Sequence, residues 1–237
     1  MQFIGVDSCK KGWFVVAINV SLNWEVGVFE NFGKVVSKYS SFDNLLIDIP
    51  IGLPTQGSRT CDILTREKLG RRGTSVFTVP CRRAIYSGSY EEACRINLEI
   101  NGKKLSKQTW NIVPKIKQLE KFLVSNTYYL NKIRESHPEI CFYTLSDSKP
   151  MQNSKKTEDG IKERLNLMKS IFPKAEILFK YSKQKFTRSE VSKDDIVDAL
   201  ILAISASNLT GNLVSIPQTP PKDEFGIEME IVYPLCY

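Results

Sequence analysis

The sequence predicts a mixed α/β fold, in which one sheet combines antiparallel and parallel strands and is flanked by helices. The first 32 residues contain three short runs rich in β-branched and aromatic residues, separated by polar turns. This pattern is typical of an antiparallel three-strand meander. Further along the chain, strand-like runs alternate with segments of helical spacing, which indicates that parallel strands extend the meander.

Five segments are predicted as strands, at residues 2–6, 13–20, 24–32, 45–51 and 140–145. The first three form the meander. The run LLIDIPI at 45–51 is almost continuously apolar, which indicates a strand buried on both faces of the sheet. The tail from residue 217 is rich in proline and then becomes strand-like.

Six segments are predicted as helices, at residues 33–41, 61–69, 90–100, 107–124, 158–171 and 192–208. In the longer ones, apolar residues recur at a spacing of three and four and therefore share one helix face. The basic segment 70–80 is interpreted as a loop, and the lysine-rich segment 174–189 as irregular. Because residues 55–135 are mainly helical, we expect a single domain, residues 1–237, with a helical insertion at 55–135.

Composition and charge exclude several classes of protein. The chain has 237 residues, of which 42% are hydrophobic and 25% charged, so it is neither a disordered chain nor a small disulfide scaffold. No apolar run approaches the roughly 20 residues that span a bilayer, and the first ten residues lack a signal-peptide pattern. We therefore expect a cytoplasmic protein without a membrane partner. One histidine and no CxxC pair disfavour zinc, and the net charge of +7 gives weak support for a polyanionic partner.

Four aspartates occupy positions where carboxylates are unusual. Asp7 follows the apolar run FIGV, and Asp48 lies inside LLIDIPI. Asp195 and Asp198 lie early in an otherwise strongly apolar helix, and their spacing of three places them on one face. A buried carboxylate costs several kcal/mol unless it is paired, hydrogen-bonded or bound to a metal. If the four converge, they form an all-oxygen site suited to Mg²⁺ or Mn²⁺.

Two of these aspartates also have a structural interpretation. The side chain of Asp7 can start a turn. Ser192 and Asp195 fit the S-x-x-D capping box of a helix start. Neither a turn nor a cap explains Asp48, which lies in the middle of an apolar run. Asp48 is therefore the residue that most favours a functional site.

The acidic motifs resemble those of the ribonuclease-H-like nucleases, which carry an aspartate on the first strand of a meander, another on the fourth strand and an acidic helix near the C-terminus. The helix motif DIVDAL at 195–200 resembles the last acidic motif of RuvC-type Holliday-junction resolvases. A closer resemblance is to a family of predicted nucleases with this fold, domain-of-unknown-function family 429. Its blocks occur in family order as GVDSCKKGW at 5–13, DIPIGLP at 48–54, LGRRGTSVFTVPCR at 69–82, NGKKLSKQTWNIVPKI at 101–116, ESHPEICF at 135–142 and DDIVDAL at 194–200.

The resemblance implies a ribonuclease-H-like fold and a metal-dependent nuclease. Such an enzyme hydrolyses phosphodiester bonds of DNA or RNA by a two-metal-ion mechanism, with Mg²⁺ or Mn²⁺ as the cofactor. By motif position, the catalytic residues and metal ligands that it implies are Asp7, Asp48, Asp195 and Asp198. In the first block, Ser8 and Lys11 stand where glycines are expected, but Asp7 keeps its place.

A second acidic motif supplies weaker candidates for the same site. Glu135 and Glu139 enclose His137, the only histidine of the chain. Glu139 opens the predicted strand 140–145, so that its carboxylate can point into the site, whereas Glu135 can equally pair with a basic neighbour at the surface. His137 between two acids can move protons, or it can bind a backbone group and nothing more.

Basic residues predict contacts to a nucleic acid. Arg71, Arg72 and Arg82 lie around a glycine-containing loop, and arginine binds phosphate through two parallel hydrogen bonds. Lys103 and Lys107 precede a tryptophan, an arrangement that can grip single-stranded nucleic acid. The alternatives are a solvated basic face and a tryptophan in the core. We expect nucleic acid as the partner, with DNA and RNA both open.

Two other classes of protein fit parts of the pattern. The first is a nucleic-acid-binding module that keeps the fold but catalyses nothing. The second is an actin-like ATPase or kinase, which also starts with a strand, an acidic turn and a meander. That class needs glycine-rich phosphate loops in two halves of a longer chain, and GVDSCKKGW lacks the expected glycines. The sequence leaves the strandedness of the substrate and the oligomeric state open.

Overall fold

The computed structural model describes residues 1–235, so the end of the predicted strand-like tail and Cys236 lie outside the described residues. The chain forms two compact units. The first contains residues 1–49, 131–214 and 232–235. The second contains residues 50–130 and 215–231, and therefore includes most of the segment 55–135 that the sequence predicts as an insertion.

A five-stranded mixed sheet forms the centre of the first unit. Its strands are β1 (Gln2–Cys9), β2 (Gly12–Asn19), β3 (Trp24–Phe29), β4 (Asn44–Ile47) and β5 (Ile133–Glu135). The strand order is β3-β2-β1-β4-β5. The first three strands pair antiparallel, whereas β4 lies parallel to β1 and to β5. The predicted mixed α/β fold, with a meander extended by parallel strands, is confirmed.

Helices occur in both units. They are α1 (Phe32–Lys38), α2 (Thr60–Leu69), α3 (Arg82–Ile85), α4 (Tyr90–Asn101), α5 (Lys107–Ser125), α6 (Pro138–Leu145), α7 (Glu158–Ile171), α8 (Ala175–Lys185) and α9 (Lys193–Ala206). Two short strands, β6 (Leu213–Ile216) and β7 (Ile231–Pro234), pair in a separate sheet. None of the helices within residues 1–235 is long and apolar enough to cross a membrane.

The apolar helix α9 packs directly on the sheet because β1 has a glycine at the crossing. A Cβ atom on Gly5 would lie 2.0 Å from the carbonyl oxygen of Ala199 and 2.3 Å from the backbone nitrogen of Ala203. No larger residue fits between two backbones at that separation. From Ile196 to Ala206 every residue of α9 is buried, so the helix forms the middle of the core and its position relative to β1 is fixed.

The strand predicted at 140–145 is wrong, because this run is the helix α6. His137 is the N-cap and Pro138 occupies the first turn, where a proline with its fixed φ angle favours a helix start. The strand that extends the sheet is instead β5, Ile133–Glu135, which the sequence pattern does not reveal. Three residues are too few for a recognisable alternation.

Three further boundaries differ from the prediction. The segment 174–189 is not irregular, since α8 runs through Ala175–Lys185 and buries Leu178 and Phe179. Strand β1 continues to Cys9, so Asp7 lies within the strand and does not follow it. Strand β4 ends at Ile47, so Asp48 is the first residue after the strand.

The second unit has its own apolar cluster, formed around α3, α4 and the start of α5. Its buried members include Ala84, Ala93 and Leu105. Trp110 packs against this cluster and meets the ring of Tyr90 edge to face at a centroid distance of 6.1 Å. This supports the interpretation of Trp110 as a core residue.

Candidate acidic site

The pairing of β1 with β4 brings Asp7 and Asp48 together. The two strands are parallel, with Val6 paired to Ile47, and each aspartate follows one member of that pair. The backbone N–H of Asp48 donates to the carbonyl oxygen of Val6 at 3.1 Å, so the ladder continues one residue beyond β4. Asp7 in β1 and Asp48 just after β4 are therefore neighbours at the carboxyl end of two adjacent inner strands.

Helix α9 adds the carboxylates of Asp198 and Asp195. Asp198 immediately precedes Ala199, the residue whose carbonyl oxygen lies against Gly5 of β1. The close packing at Gly5 thus places Asp198 near Asp7, which is two residues further along the strand. Asp7 is 7% exposed and Asp198 is 2% exposed. Asp7 and Asp198 are therefore buried neighbours, and Asp48 beside them is partly exposed.

The pKa directions indicate that these carboxylates interact. The pKa of Asp7 is raised well above its ordinary value, first by burial and then by the negative charges of Asp48, Asp198 and Asp195. The pKa of Asp198 is raised to about 6, chiefly by burial; Lys155 opposes the rise, and Asp48 adds to it. Burial also raises the pKa of Asp195. Nearby negative charges disfavour the ionised form of a carboxylate and therefore raise its pKa.

Asp198 has one carboxylate oxygen that is satisfied and one that is not. Its Oδ2 accepts a hydrogen bond from the ammonium of Lys155. Its Oδ1 is fully buried and has no hydrogen-bond partner within the described part of the chain. A buried polar atom without a partner costs about 1–3 kcal/mol. An all-oxygen group of acids with an orphaned carboxylate oxygen fits a site for a hard divalent cation.

The carboxylates are not drawn together around a common point. Within residues 1–235, no group of three or more histidine, cysteine, aspartate or glutamate side chains is close enough to hold a metal ion. Binding of a divalent cation would therefore require the side chains of Asp7, Asp48 and Asp198 to move closer to one another.

Asp195 forms the predicted capping box. Its Oδ2 accepts from the backbone N–H of Ser192 at 2.8 Å, and its own N–H donates to Ser192 Oγ at 3.2 Å. The structural interpretation of Asp195 is thus confirmed, while its charge still acts on Asp7. Its role as a ligand stays a prediction, with one carboxylate oxygen engaged in the cap.

The second acidic motif lies at the edge of the same region. Glu135 is buried in β5 and paired with Ile47 of β4, so it is not a surface residue. Glu139 is buried and accepts at Oε1 from Nη2 of the fully buried Arg164 at 2.5 Å. Its charge contributes to the raised pKa of Asp198. Glu139 lies in α6 and does not open a strand.

His137 caps a helix. Its Nδ1 accepts from the backbone N–H of Glu139 at 3.2 Å, at the start of α6. This contact fits the structural alternative that the sequence leaves open. A role of His137 in proton transfer stays a prediction.

Arg82 is buried among carboxylates of the second unit and is not presented to solvent. It is 7% exposed and forms ion pairs with Glu120, Asp223 and Glu224. A guanidinium that three carboxylates already surround is poorly suited to bind phosphate. Arg82 is therefore better explained as a structural residue than as a nucleic-acid contact.

The other basic candidates lie at or near the surface of the second unit. Arg71, Lys103 and Lys107 are exposed, and Arg72 is partly buried. The ammonium of Lys107 lies over the ring of Tyr90, 3.5 Å from its centroid, which is a cation–π contact. Their contact with nucleic acid stays a prediction.

Two residues of the first unit were missed by the sequence analysis. Lys155 binds Asp198, and Arg164 binds Glu139. Lys155 stands in a polar segment next to a second lysine, and Arg164 stands within a charged amphipathic helix. Neither pattern distinguishes these residues from ordinary surface positions.

Fold and site together define a mixed α/β protein with a buried group of carboxylates where the first and fourth strands meet the last long helix. A family model described as "Protein of unknown function (DUF429)" matches residues 5–222. The chain therefore belongs to this family, in agreement with the blocks found in the sequence. Comparison with curated proteins and with solved structures gave no match.

Proposed function

We propose that this protein is a metal-dependent nuclease with a ribonuclease-H-like fold, whose catalytic centre is the acidic site of the first unit. The strand order β3-β2-β1-β4-β5 supports this proposal, because an antiparallel meander followed by parallel strands is the arrangement that the resemblance implies. The observation that carries the proposal is the buried carboxylate of Asp198, whose Oδ1 has no partner in the described chain and whose pKa is raised by burial and by the charge of Asp48. A structural carboxylate would have both oxygens satisfied.

Asp7, Asp48 and Asp198 would hold the cation, with Asp195 next to them. A bound Mg²⁺ or Mn²⁺ supplies an activated water at neutral pH and stabilises charge on the phosphate. Asp7 and Asp48 would orient the attacking water and the phosphate from the sheet side, and Asp198 from the helix side. Two ions, as the resemblance implies, stay a prediction.

The substrate we propose is DNA or RNA. The net charge of +7 favours a polyanion. Exposed basic residues such as Arg71 and Lys103 would bind the phosphate backbone without reading the base sequence. Binding should accordingly weaken as salt rises, because released counterions contribute most of such an affinity.

The test is cleavage of labelled single-stranded, duplex, hybrid and four-way-junction substrates, each with Mg²⁺, Mn²⁺ or EDTA. We expect cleavage of at least one substrate with a divalent cation and none with EDTA. Asp7→Asn and Asp48→Asn should each reduce the cleavage rate at least about 100-fold. Loss of a residue that only supports a metal ligand already costs about 10–100-fold in activity, and loss of a ligand itself should cost no less.

Asp159→Asn is the matched control, because Asp159 is an exposed acid in the first turn of α7. This variant should cleave like the wild type. Cleavage that survives EDTA, or that is equal in Asp7→Asn and the wild type, would contradict the proposal.

A non-catalytic nucleic-acid-binding module is the second candidate. The observation that favours it is the ion pair between Lys155 and Asp198, since an ammonium partly neutralises the acidic group without any metal. This candidate predicts binding that is unchanged by EDTA, together with no cleavage of any substrate in the panel.

A further inference from the structure

Lys155 brings a positive charge into the acidic site. Its ammonium donates to Asp198 Oδ2, and it also attracts the carboxylates of Asp48 and Asp7. The side chain of Lys155 is 35% exposed, whereas that of Asp198 is 2% exposed. The lysine therefore reaches inward from the surface to a carboxylate that solvent hardly touches.

The chain before Lys155 is anchored to α7. The backbone N–H groups of Gln152 and Asn153 donate to the carboxylate of Glu163 at 2.7 and 2.9 Å. The carbonyl oxygen of Asn153 accepts from Arg164 Nη1 at 3.1 Å. Both partners lie on the same helix, so this part of the segment has a defined path.

The chain at Lys155 itself is held by a close backbone approach. A Cβ atom on Gly160 would lie 1.9 Å from the carbonyl oxygen of Ser154, so α7 needs a glycine where the segment crosses it. The same carbonyl accepts from Thr157 Oγ1 at 2.8 Å and from Thr157 N–H at 3.0 Å. Lys155 follows Ser154 directly and is therefore aimed by a fixed backbone, not by a free loop.

The segment that carries Lys155 is connected to the acidic site by a second set of contacts. Arg164, which binds the carbonyl oxygen of Asn153, also binds Glu139, and the charge of Glu139 acts on Asp198. An arginine with no exposed surface thus joins the segment that carries Lys155 to the wall of the acidic site. Such a support is expected for a side chain whose position matters.

We propose that the Lys155 ammonium takes the place of one of two metal ions, so that the acidic site binds a single divalent cation, and that Lys155 positions Asp198. This inference rests on the proposed function. The Lys155 ammonium already satisfies Asp198 Oδ2 and supplies one positive charge to the acidic site, so that a second cation would not be needed to balance this carboxylate. Asp7, whose Oδ1 accepts from the backbone N–H of Ser8 at 2.6 Å, Asp48 and the unpartnered Oδ1 of Asp198 would hold the single ion.

The test is a count of bound Mn²⁺ by EPR at room temperature, in which free Mn²⁺ gives a signal and bound Mn²⁺ loses it. Three proteins are compared: the wild type, Lys155→Met and Lys156→Met. Lys156 is the matched control because it is the adjacent, exposed lysine. Each protein is measured against a counterpart that also carries Asp7→Asn and Asp48→Asn, so that ions bound elsewhere cancel.

We expect one site ion per chain in the wild type and in Lys156→Met, and two in Lys155→Met. Two site ions in the wild type would overturn the inference, and this count requires no lysine variant to fold. One site ion in Lys155→Met, or two in Lys156→Met, would also overturn it.

The failure of the inference is distinguishable from the failure of the proposed function. Two wild-type ions together with cleavage would remove the role of Lys155 and leave the nuclease intact. No site ion in any protein would overturn the metal-dependent nuclease, and the inference with it.

Discussion

Asp198 in the first unit and Asp223 in the second both have buried side chains and both bind a basic residue, but their carboxylates are satisfied differently. Asp223 Oδ2 accepts from Arg82 Nη2 at 2.6 Å. The two carboxylate oxygens of Asp223 also accept hydrogen bonds from the backbone N–H groups of Leu53, Phe225 and Ile227, at 2.9–3.1 Å. Asp198 binds Lys155 through Oδ2, while its Oδ1 has no partner in the part of the chain described here.

Under the proposed function, this difference distinguishes a structural carboxylate from a catalytic one. A buried carboxylate whose oxygens all accept hydrogen bonds adds to stability and leaves nothing for a ligand. A buried carboxylate with a free oxygen and like charges around it is destabilising unless a cation arrives. Charge and burial alone would not distinguish the two aspartates, whereas the list of donors does.

The largest expected effect is a loss of stability in the second unit. Asp223→Ala removes one of the three carboxylate partners of Arg82 and the acceptor of three backbone N–H groups. Loss of such buried partners costs about 3–5 kcal/mol. Urea denaturation should show that decrease in the free energy of unfolding. Asp159→Ala, at an exposed position, should stay within about 0.5 kcal/mol of the wild type. If Asp223→Ala lowers the free energy of unfolding by less than about 1 kcal/mol, Asp223 does not have the structural role that sets it apart from Asp198.

The corresponding change in the first unit should have the opposite sign. Asp198→Asn keeps an oxygen for Lys155 and removes a charge that Asp48 and Asp7 repel. A pKa raised to about 6 means that the folded protein destabilises the ionised form of Asp198 by roughly 1–3 kcal/mol at pH 7. We expect the variant, in EDTA, to be more stable than the wild type by about that amount. If Asp198→Asn is clearly less stable than the wild type, Asp198 is a structural carboxylate like Asp223.

The gain from Asp198→Asn should also depend on pH. The pKa of Asp198 is raised in the folded state from 3.8 to about 6, so the folded protein binds the proton more tightly than the unfolded chain. The wild type therefore loses stability as the pH rises from about 4 to about 6. Urea denaturation at pH 4, 5, 6 and 7 in EDTA should show the two proteins converging at pH 4. If the difference in the free energy of unfolding between the two proteins stays constant from pH 4 to pH 7, the pKa of Asp198 is not raised in the folded state.

A smaller effect is expected from the cation itself. A ligand that binds only the folded state stabilises it by about 1.4 kcal/mol at ten times its dissociation constant. Mn²⁺ should therefore raise the melting temperature of the wild type, followed by circular dichroism, but not that of the Asp7→Asn, Asp48→Asn double variant. An equal rise in both proteins would mean that the acidic site is not where Mn²⁺ binds.

The parts of the fold with strong local signals could be predicted. The β1–β3 meander, the helix α9 and the capping box of Ser192 and Asp195 each follow from a run of neighbouring residues. Segment 140–145 was misread because its aromatic and β-branched residues outweighed His137 and Pro138, which start a helix. The two-unit arrangement depends on contacts between distant parts of the chain, which no local pattern contains.

The candidate site shows the same division. Asp7 and Asp48 could be predicted because each adjoins or interrupts an apolar run, and Asp198 because it lies in an apolar helix. Lys155 could not be predicted, because Lys156 beside it has the same local context. What distinguishes the two lysines is the ion pair of Lys155 with Asp198, which joins distant parts of the sequence and exists only in the folded chain.

The most direct test of the acidic site is a crystal structure of the wild type grown with Mn²⁺, with an anomalous difference map. The account predicts a peak near 2.1 Å from oxygens of Asp7 and Asp48, a typical distance for a small hard divalent cation, with Asp198 Oδ1 turned towards it. A map without any peak at these carboxylates, at a Mn²⁺ concentration that supports cleavage, would contradict the account.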